Sequence, residues 1–203
     1  GKRNSKDTKV TDMLYACYKA AVKGQDFEKK FDEIKERYNG IIAELGIELS
    51  LDEQYENIKA GFKGRAGRDY AASRGEYLNG IILAKYIGYE FIDAADLVFF
   101  NEDGTFNADM TNQTVRDRLV DVERAVIPGF YGSTPNDTIK TFSRGGSDIT
   151  GSIVAAAVKA DLYENWTDVS GFLVADPRIV EDPAVINTIT YKELRELSYM
   201  GAT

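Results

Sequence analysis

The 203-residue sequence has no histidine. That removes the Ser-His-Asp and Cys-His nucleophile pairs and every histidine-ligated metal centre. It has one cysteine, Cys17, so no disulfide can form within the chain, which fits a reducing cytoplasm. Cys17 falls on the apolar face of an expected helix, where a buried structural thiol is the expected role. No apolar run approaches the roughly 20 residues of a membrane span, so no membrane association is expected. Positive charge is in short supply: 25 Lys and Arg stand against 33 Asp and Glu, a formal net charge of −8. A nucleic-acid partner needs a basic surface, and none is expected here. An anionic metabolite is not excluded, because a local Arg144 or Arg178 can outweigh the mean. Any chemistry must come from carboxylates, lysines, arginines, hydroxyls and backbone. Phosphoryl transfer suits that set, since it depends mainly on positioning and charge stabilisation.

What is present is ordinary for a globular domain, at 43% hydrophobic and 29% charged residues. Val10, Met13, Leu14, Cys17, Tyr18, Ala21 and Val22 follow a 3,4 spacing, one face of a helix closed by Gly24. Phe27, Phe31, Ile34, Tyr38, Ile41, Ile42 and Leu45 predict a second helix ending near Gly46. A third runs from about Leu51 to Ala60. The stretch from Gly61 to Arg68 reads as a glycine-rich basic loop. Asp69 opens a fourth helix, with Leu78, Ile81, Ile82 and Tyr86 buried and Gly88 as the stop.

After Gly88 the pattern shortens. Tyr89–Asp93 and Leu97–Phe100 read as strands, Asn101–Asp109 as a polar loop and Thr114–Arg124 as a helix. Ala125–Tyr131 reads as a strand entering a glycine-bounded turn, and Ile139–Phe142 as another strand. A helix follows Gly151, and a strand covers Ala160–Asp168. Thr190-Tyr191-Lys192-Glu193 is a capping box that starts a helix. Strands alternating with helices predict an α/β fold, a three-layer αβα sandwich with a mainly parallel central sheet. The expected parts are a mostly helical portion, residues 1–88, and an α/β portion, residues 89–203.

The most informative stretch is Phe142-Ser143-Arg144-Gly145-Gly146-Ser147-Asp148-Ile149-Thr150-Gly151. Glycines let backbone approach a ligand, a helix start offers free N–H groups, and Arg144 supplies a planar fork. This is the composition of an anion site. It also suits a plain glycine-rich turn whose Ser147 or Asp148 only caps the helix. In a doubly wound sheet, ligands bind beyond the carboxyl ends of the strands. The Phe130 turn, the Arg144 loop and Thr167-Asp168 should converge there.

Further motifs join this one in order. They are Ser73-Arg74-Gly75-Glu76-Tyr77-Leu78, Pro128-Gly129-Phe130-Tyr131-Gly132, Trp166-Thr167-Asp168-Val169-Ser170-Gly171-Phe172 and Asp176-Pro177-Arg178. Together they resemble the aspartate kinases, which belong to the amino-acid kinase fold family. The resemblance implies transfer of the ATP γ-phosphoryl group to the β-carboxylate of L-aspartate, the first step towards lysine, threonine and methionine. It implies ATP with Mg2+ bound through its phosphates, and a homodimer or larger assembly. Arg144 would hold the substrate α-carboxylate and Glu76 its ammonium. Thr11, Phe130, Ser147 and Asp148 would line the same pocket, with Arg144 and Asp148 as the catalytic pair. Thr167, Asp168, Leu173 and Arg178 would form the nucleotide site. Leu173 stands where the family often places a tyrosine.

The family also has an N-terminal strand ending in Lys-Phe-Gly-Gly, a later nucleotide-site lysine and paired ACT domains. The chain starts after the first and ends before the others, so a catalytic domain truncated at both ends is expected. Each residue has a plainer alternative: Glu76 as an exposed helix carboxylate, Thr11 as a solvated helix residue, Arg178 as a surface arginine. The alternatives for the whole chain are another amino-acid kinase, of glutamate, acetylglutamate or carbamate type, or a domain that binds amino acid or nucleotide without turnover.

Overall fold

The computed structural model describes residue 4 and residues 7–143, 145–166, 171, 173–176, 179–190 and 192–193. The chain divides into two compact units, Gly1–Tyr163 and Glu164–Thr203.

Four apolar stripes of the first unit become four helices: α1 (Val10–Val22), α2 (Glu28–Leu45), α3 (Asp52–Lys63) and α4 (Arg68–Ile87). The buried sets keep the 3,4 spacing: Val10, Leu14, Cys17 and Ala20 on α1, then Phe31, Ile34, Tyr38 and Ile42 on α2. Tyr55, Ile58 and Phe62 do the same on α3. All these residues share one core. Phe62 is its hub, meeting Tyr18, Phe27, Phe31 and Tyr70 edge-to-face with centroids 5.9–6.2 Å apart. Gly46 and Gly88 stop α2 and α4 in the left-handed conformation, φ 64° and 74°. The expected loop from Gly61 is shorter, because α3 continues to Lys63 and α4 starts at Arg68. The Tyr70 ring packs into the space that a side chain at Gly61 would fill.

Helix α4 is buried on more than one face, through Ala71, Ala72, Ser73, Arg74, Gly75, Leu78, Gly80, Ile82 and Ala84. It joins the helical core to the strands. Strand β1 (Glu90–Phe91) pairs in parallel with β2 (Ala125–Val126), and α5 (Ala108–Leu119) lies in the crossover between them. Strands β3 (Tyr131–Ser133) and β4 (Ile139–Thr141) form an antiparallel hairpin, Tyr131 opposite Thr141. Helix α6 (Gly146–Val158) follows. A second core of Ile92, Leu97, Val98, Phe100, Val115 and Ala157 packs with Phe106, Phe142 and Val154.

Several boundaries differ from the sequence reading. A 3-10 helix occupies Ala94–Asp96, capped by the Asp93 side chain accepting from the Ala95 N–H, and the expected strand Leu97–Phe100 narrows to bridges at Phe99 and Phe100. Val98 to Phe100 still runs parallel to β3 through the Phe99–Ser133 bridge. Helix α5 begins inside the expected polar loop, because Asn107 caps it by accepting from the Met110 N–H at 3.0 Å. The expected strand Ala125–Tyr131 breaks after β2. Pro128 has no N–H to donate and Phe130 turns the chain with φ 67°, so pairing resumes only at Tyr131.

Helix α6 starts at Gly146, six residues earlier than expected. Ser147 and Asp148 therefore lie in its first turn, and the capping position is Gly145, φ 59°. Residues 160–166 form no strand: none of them pairs with another described segment, and Leu162 and Trp166 are 73% and 88% exposed. In the second unit, Leu173 bridges Val185 in antiparallel fashion. The capping box forms as the sequence predicts. Thr190 Oγ1 accepts from the Glu193 N–H at 3.3 Å, and Glu193 accepts from the Thr190 N–H at 2.9 Å.

Candidate functional site

Two of the predicted residues meet in one cavity. A void of about 810 Å³ lies between the start of α1, the middle of α2 and α4, and Thr11 and Glu76 both line it. Glu76 is exposed and Thr11 is half-buried. Gly75 carries the wall between them. The Tyr38 hydroxyl donates to the Gly75 carbonyl at 2.8 Å, pinning α2 to α4 beside Glu76. Burial, helped by the Glu76 charge, raises the Tyr38 phenol well above its ordinary range, so it remains a donor. The packing does not require glycine at Gly75: an added Cβ would meet Val10 and Leu14 at 3.5 Å, ordinary contact.

Arg37 also lines this cavity and was not singled out from the sequence. Its side chain is 7% exposed. One arm donates to the Thr8 carbonyl at 3.1 Å, another pairs with Asp7, and Nε is buried without a partner. The clue was available in the spacing. Arg37 sits three residues after Ile34 and four before Ile41, a cation inside an apolar stripe.

Phe130, Ser147 and Asp148 gather at a second place, the start of α6. A Cβ on Gly129 would lie 2.9 Å from the Ser147 Cα, and one on Gly146 would lie 2.6 Å from the Phe130 Cβ. Only glycine permits this approach of turn to helix. Phe130 is held in its left-handed conformation from both sides. Its N–H donates to Thr150 Oγ1 at 3.0 Å, and its carbonyl accepts from the Phe142 N–H at 2.9 Å. Thr150, 3% exposed, donates onward to the Gly146 carbonyl at 2.7 Å. A non-glycine residue kept in this region is the kind of local strain that collects at functional sites. Thr150 is the second residue missed from sequence. Its helical position hides that it faces the turn rather than the core.

Among the described residues no side chain caps the start of α6. Ser147 and Asp148 do not fill that role, so the plain capping alternative fails. The first-turn N–H groups and the positive end of the helix dipole stay available to an anion. Ser147 and Asp148 are exposed there. Arg144 falls outside the described residues, as do Thr167, Asp168 and Arg178. Leu173 is half-buried in the second unit.

Helix α4 is fastened to the β3–β4 hairpin near both clusters. Asp69 accepts from the Thr141 N–H at 3.0 Å. Further along, the Arg74 guanidinium lies 5.4 Å from the Tyr131 ring centre. Tyr131 is fully buried and donates to Asp93 at 2.6 Å. Burial first, and then the Asp93 charge, raises the Tyr131 phenol far above its ordinary range.

Comparison with known proteins agrees with this architecture. Residues 10–203 match the model of the amino acid kinase family. The chain is 35% identical to aspartokinase 3 of Bacillus subtilis, across 99% of this chain and 47% of that protein. It is 29% identical to the chloroplastic bifunctional aspartokinase/homoserine dehydrogenase of Daucus carota, across 96% of this chain and 24% of that one. The chain thus spans about half the length of its bacterial relative, and less of the plant one. Among solved structures, Clostridium acetobutylicum aspartate kinase superposes with a TM-score of 0.93 at 56% identity, covering 100% of this chain and 47% of that one. E. coli aspartokinase III in complex with aspartate and ADP superposes with a TM-score of 0.78 at 24% identity, covering 97% of this chain and 48% of that one; this likeness is one of fold. No described helix is long and apolar enough to cross a membrane.

Proposed function

The chain belongs to the amino acid kinase family, and on that premise we propose that it is an aspartate kinase catalytic domain. It would transfer the ATP γ-phosphoryl group to the β-carboxylate of L-aspartate, giving an acyl phosphate. The observation that carries this reading is the match to an aspartate kinase at 56% identity, along all of this chain and 47% of that one. The convergence of Thr11 with Glu76, and of Phe130 with Ser147 and Asp148, supports it from this chain's own geometry.

A carboxylate is already ionised and nucleophilic at neutral pH, so the lack of histidine is no obstacle. The work left to the protein is holding and neutralising. Arg144 binds the α-carboxylate of aspartate and Glu76 its ammonium. Two contacts of opposite sign leave only the β-carboxylate free to face ATP. Thr11, Phe130, Ser147 and Asp148 close the pocket. The uncapped N–H groups of α6 suit the negative charge gathered at the reacting centre. Thr167, Asp168, Leu173 and Arg178 serve the nucleotide. Mg2+ would offset charge on the phosphates. Among the described residues no group of three or more acidic or thiol side chains clusters.

The test is ATP-dependent hydroxamate formation on the full-length protein with L-aspartate, in which hydroxylamine traps the acyl phosphate. Product with aspartate and not with glutamate is expected. Product with glutamate alone, or none with either, would overturn the reading. Arg144→Ala should raise the aspartate KM at least about 100-fold, the scale for losing a charge-assisted carboxylate contact. A near-normal KM in that variant would remove Arg144 from the site.

A further inference from the structure

Arg74 precedes Gly75 and Glu76 on α4 and is 6% exposed. A buried guanidinium normally has a carboxylate partner. Among the described residues none stands within ion-pair distance of Arg74. Three tyrosine rings take that place: Tyr77 at 4.5 Å from the guanidinium carbon, Tyr70 at 4.7 Å and Tyr131 at 5.4 Å. Nε donates to Ser73 Oγ at 3.1 Å, and Nη2 is buried without a hydrogen-bond partner. A side chain needed only to fill this space would be better met by an apolar residue of similar length, since the unmade hydrogen bond is a standing cost.

The placement of the rings shows what the cation does. Tyr70 and Tyr77 belong to α4 itself, one turn to either side, and hold the guanidinium in place on its own helix. Tyr131 belongs to β3, and its ring is fixed by the hydroxyl donated to Asp93. The Arg74–Tyr131 contact is therefore a joint between helix and hairpin. Glu76 lies two residues along the chain on one side of it. Phe130, packed against the Gly146 end of α6, lies one residue along on the other.

We propose that Arg74 is a positioning residue of the substrate site, setting the separation between Glu76 and the Phe130 turn through its contact with Tyr131. This rests on the aspartate kinase reading, in which those two elements grip the same amino acid. The guanidinium suits the task because it is planar, weakly hydrated and able to lie against several ring faces at once. Arg74 touches no substrate; it acts through α4 and β3.

The test uses the full-length protein with Arg74→Met, which keeps length and removes charge and planarity, and with Arg74→Lys, which keeps the charge. Aspartate KM, ATP KM, kcat and the thermal midpoint are measured for each. R74M should raise the aspartate KM about tenfold or more while the ATP KM stays within about twofold and the midpoint moves by a few degrees. R74K should fall between R74M and wild type. An aspartate KM within about twofold of wild type in R74M would overturn the proposal. So would a loss shared equally by both substrates and by the midpoint, since that marks a merely structural side chain. If R74M does not fold, R74K decides alone: an unchanged ratio of the two KM values overturns the proposal. Absence of aspartate-dependent product in the wild-type protein would overturn the functional reading and this inference with it. Wild-type activity with an unaffected R74M overturns the inference only.

Discussion

Gly75 and Gly132 look alike in sequence, each beside a predicted site residue or turn, and the structure separates them. A methyl group at Gly75 would reach Val10 and Leu14 at 3.5 Å with helical backbone already in place. Gly75→Ala should therefore raise stability by about 0.5–1 kcal/mol, the usual gain for alanine over glycine within a helix. A methyl group at Gly132 would lie 2.1 Å from the Val98 carbonyl oxygen, which is fixed by the Ser133 N–H donated to it. Gly132→Ala should cost about 1–3 kcal/mol or more, because backbone must shift to make room. Urea unfolding of both variants checks the pair, and opposite signs are the expected result. Arg74 and Thr150 show why single residues are hard to read from sequence. Each sits in a helix, and what each touches, Tyr131 and the Phe130 N–H, comes from β3 or the turn before it.

Among the elements, α5 teaches most. The polar run Asn101–Asp109 carries no apolar period, so it reads as a loop, yet its end starts a helix. Two hydroxyl and amide groups explain this: Asn107 caps α5, and the buried Thr111 hydroxyl accepts from the Phe99 N–H at 2.9 Å. Asn107→Ala should cost about 1 kcal/mol, and Asn107→Asp should retain most of the stability, since aspartate also caps. Denaturant midpoints of the two variants test it. Helices α1 to α3 were legible because each offers several turns of one apolar spacing. Helix α4 was legible in extent, with Gly88 as its end, but not in its buried set, because it is covered on more than one face and the expected Tyr86 is 55% exposed. The strands are two or three residues long, too short for alternation to register. The boundary between β2 and β3 depends on Phe130 adopting a positive φ, which its residue type disfavours. By contrast, the Thr190–Glu193 box was legible because its two hydrogen bonds are local.

At the scale of the whole molecule, the sequence places parallel pairing after the helical portion, and the β1–β2 pair with α5 in its crossover agrees. Candidate site residues could be named from residue types and spacings, and of these Thr11 and Glu76 line one cavity while Phe130, Ser147 and Asp148 gather at the start of α6. What could not be read was their division into a cavity under α4 and a turn against α6, because that depends on long-range packing. The helical core also contains the chain's one thiol, Cys17, fully buried on α1. Burial pushes its pKa up to about 11 from 9.0, which leaves about a hundredfold less thiolate at neutral pH. A thiol reagent can therefore react at a useful rate only when α1 lifts away from its neighbours. Alkylation of the native protein should run at least ~100-fold slower than in urea, and mass spectrometry over time would follow it as a single event. With one reactive atom and no background, Cys17 is a clock for the opening of the helical core, and each core substitution can be timed by it.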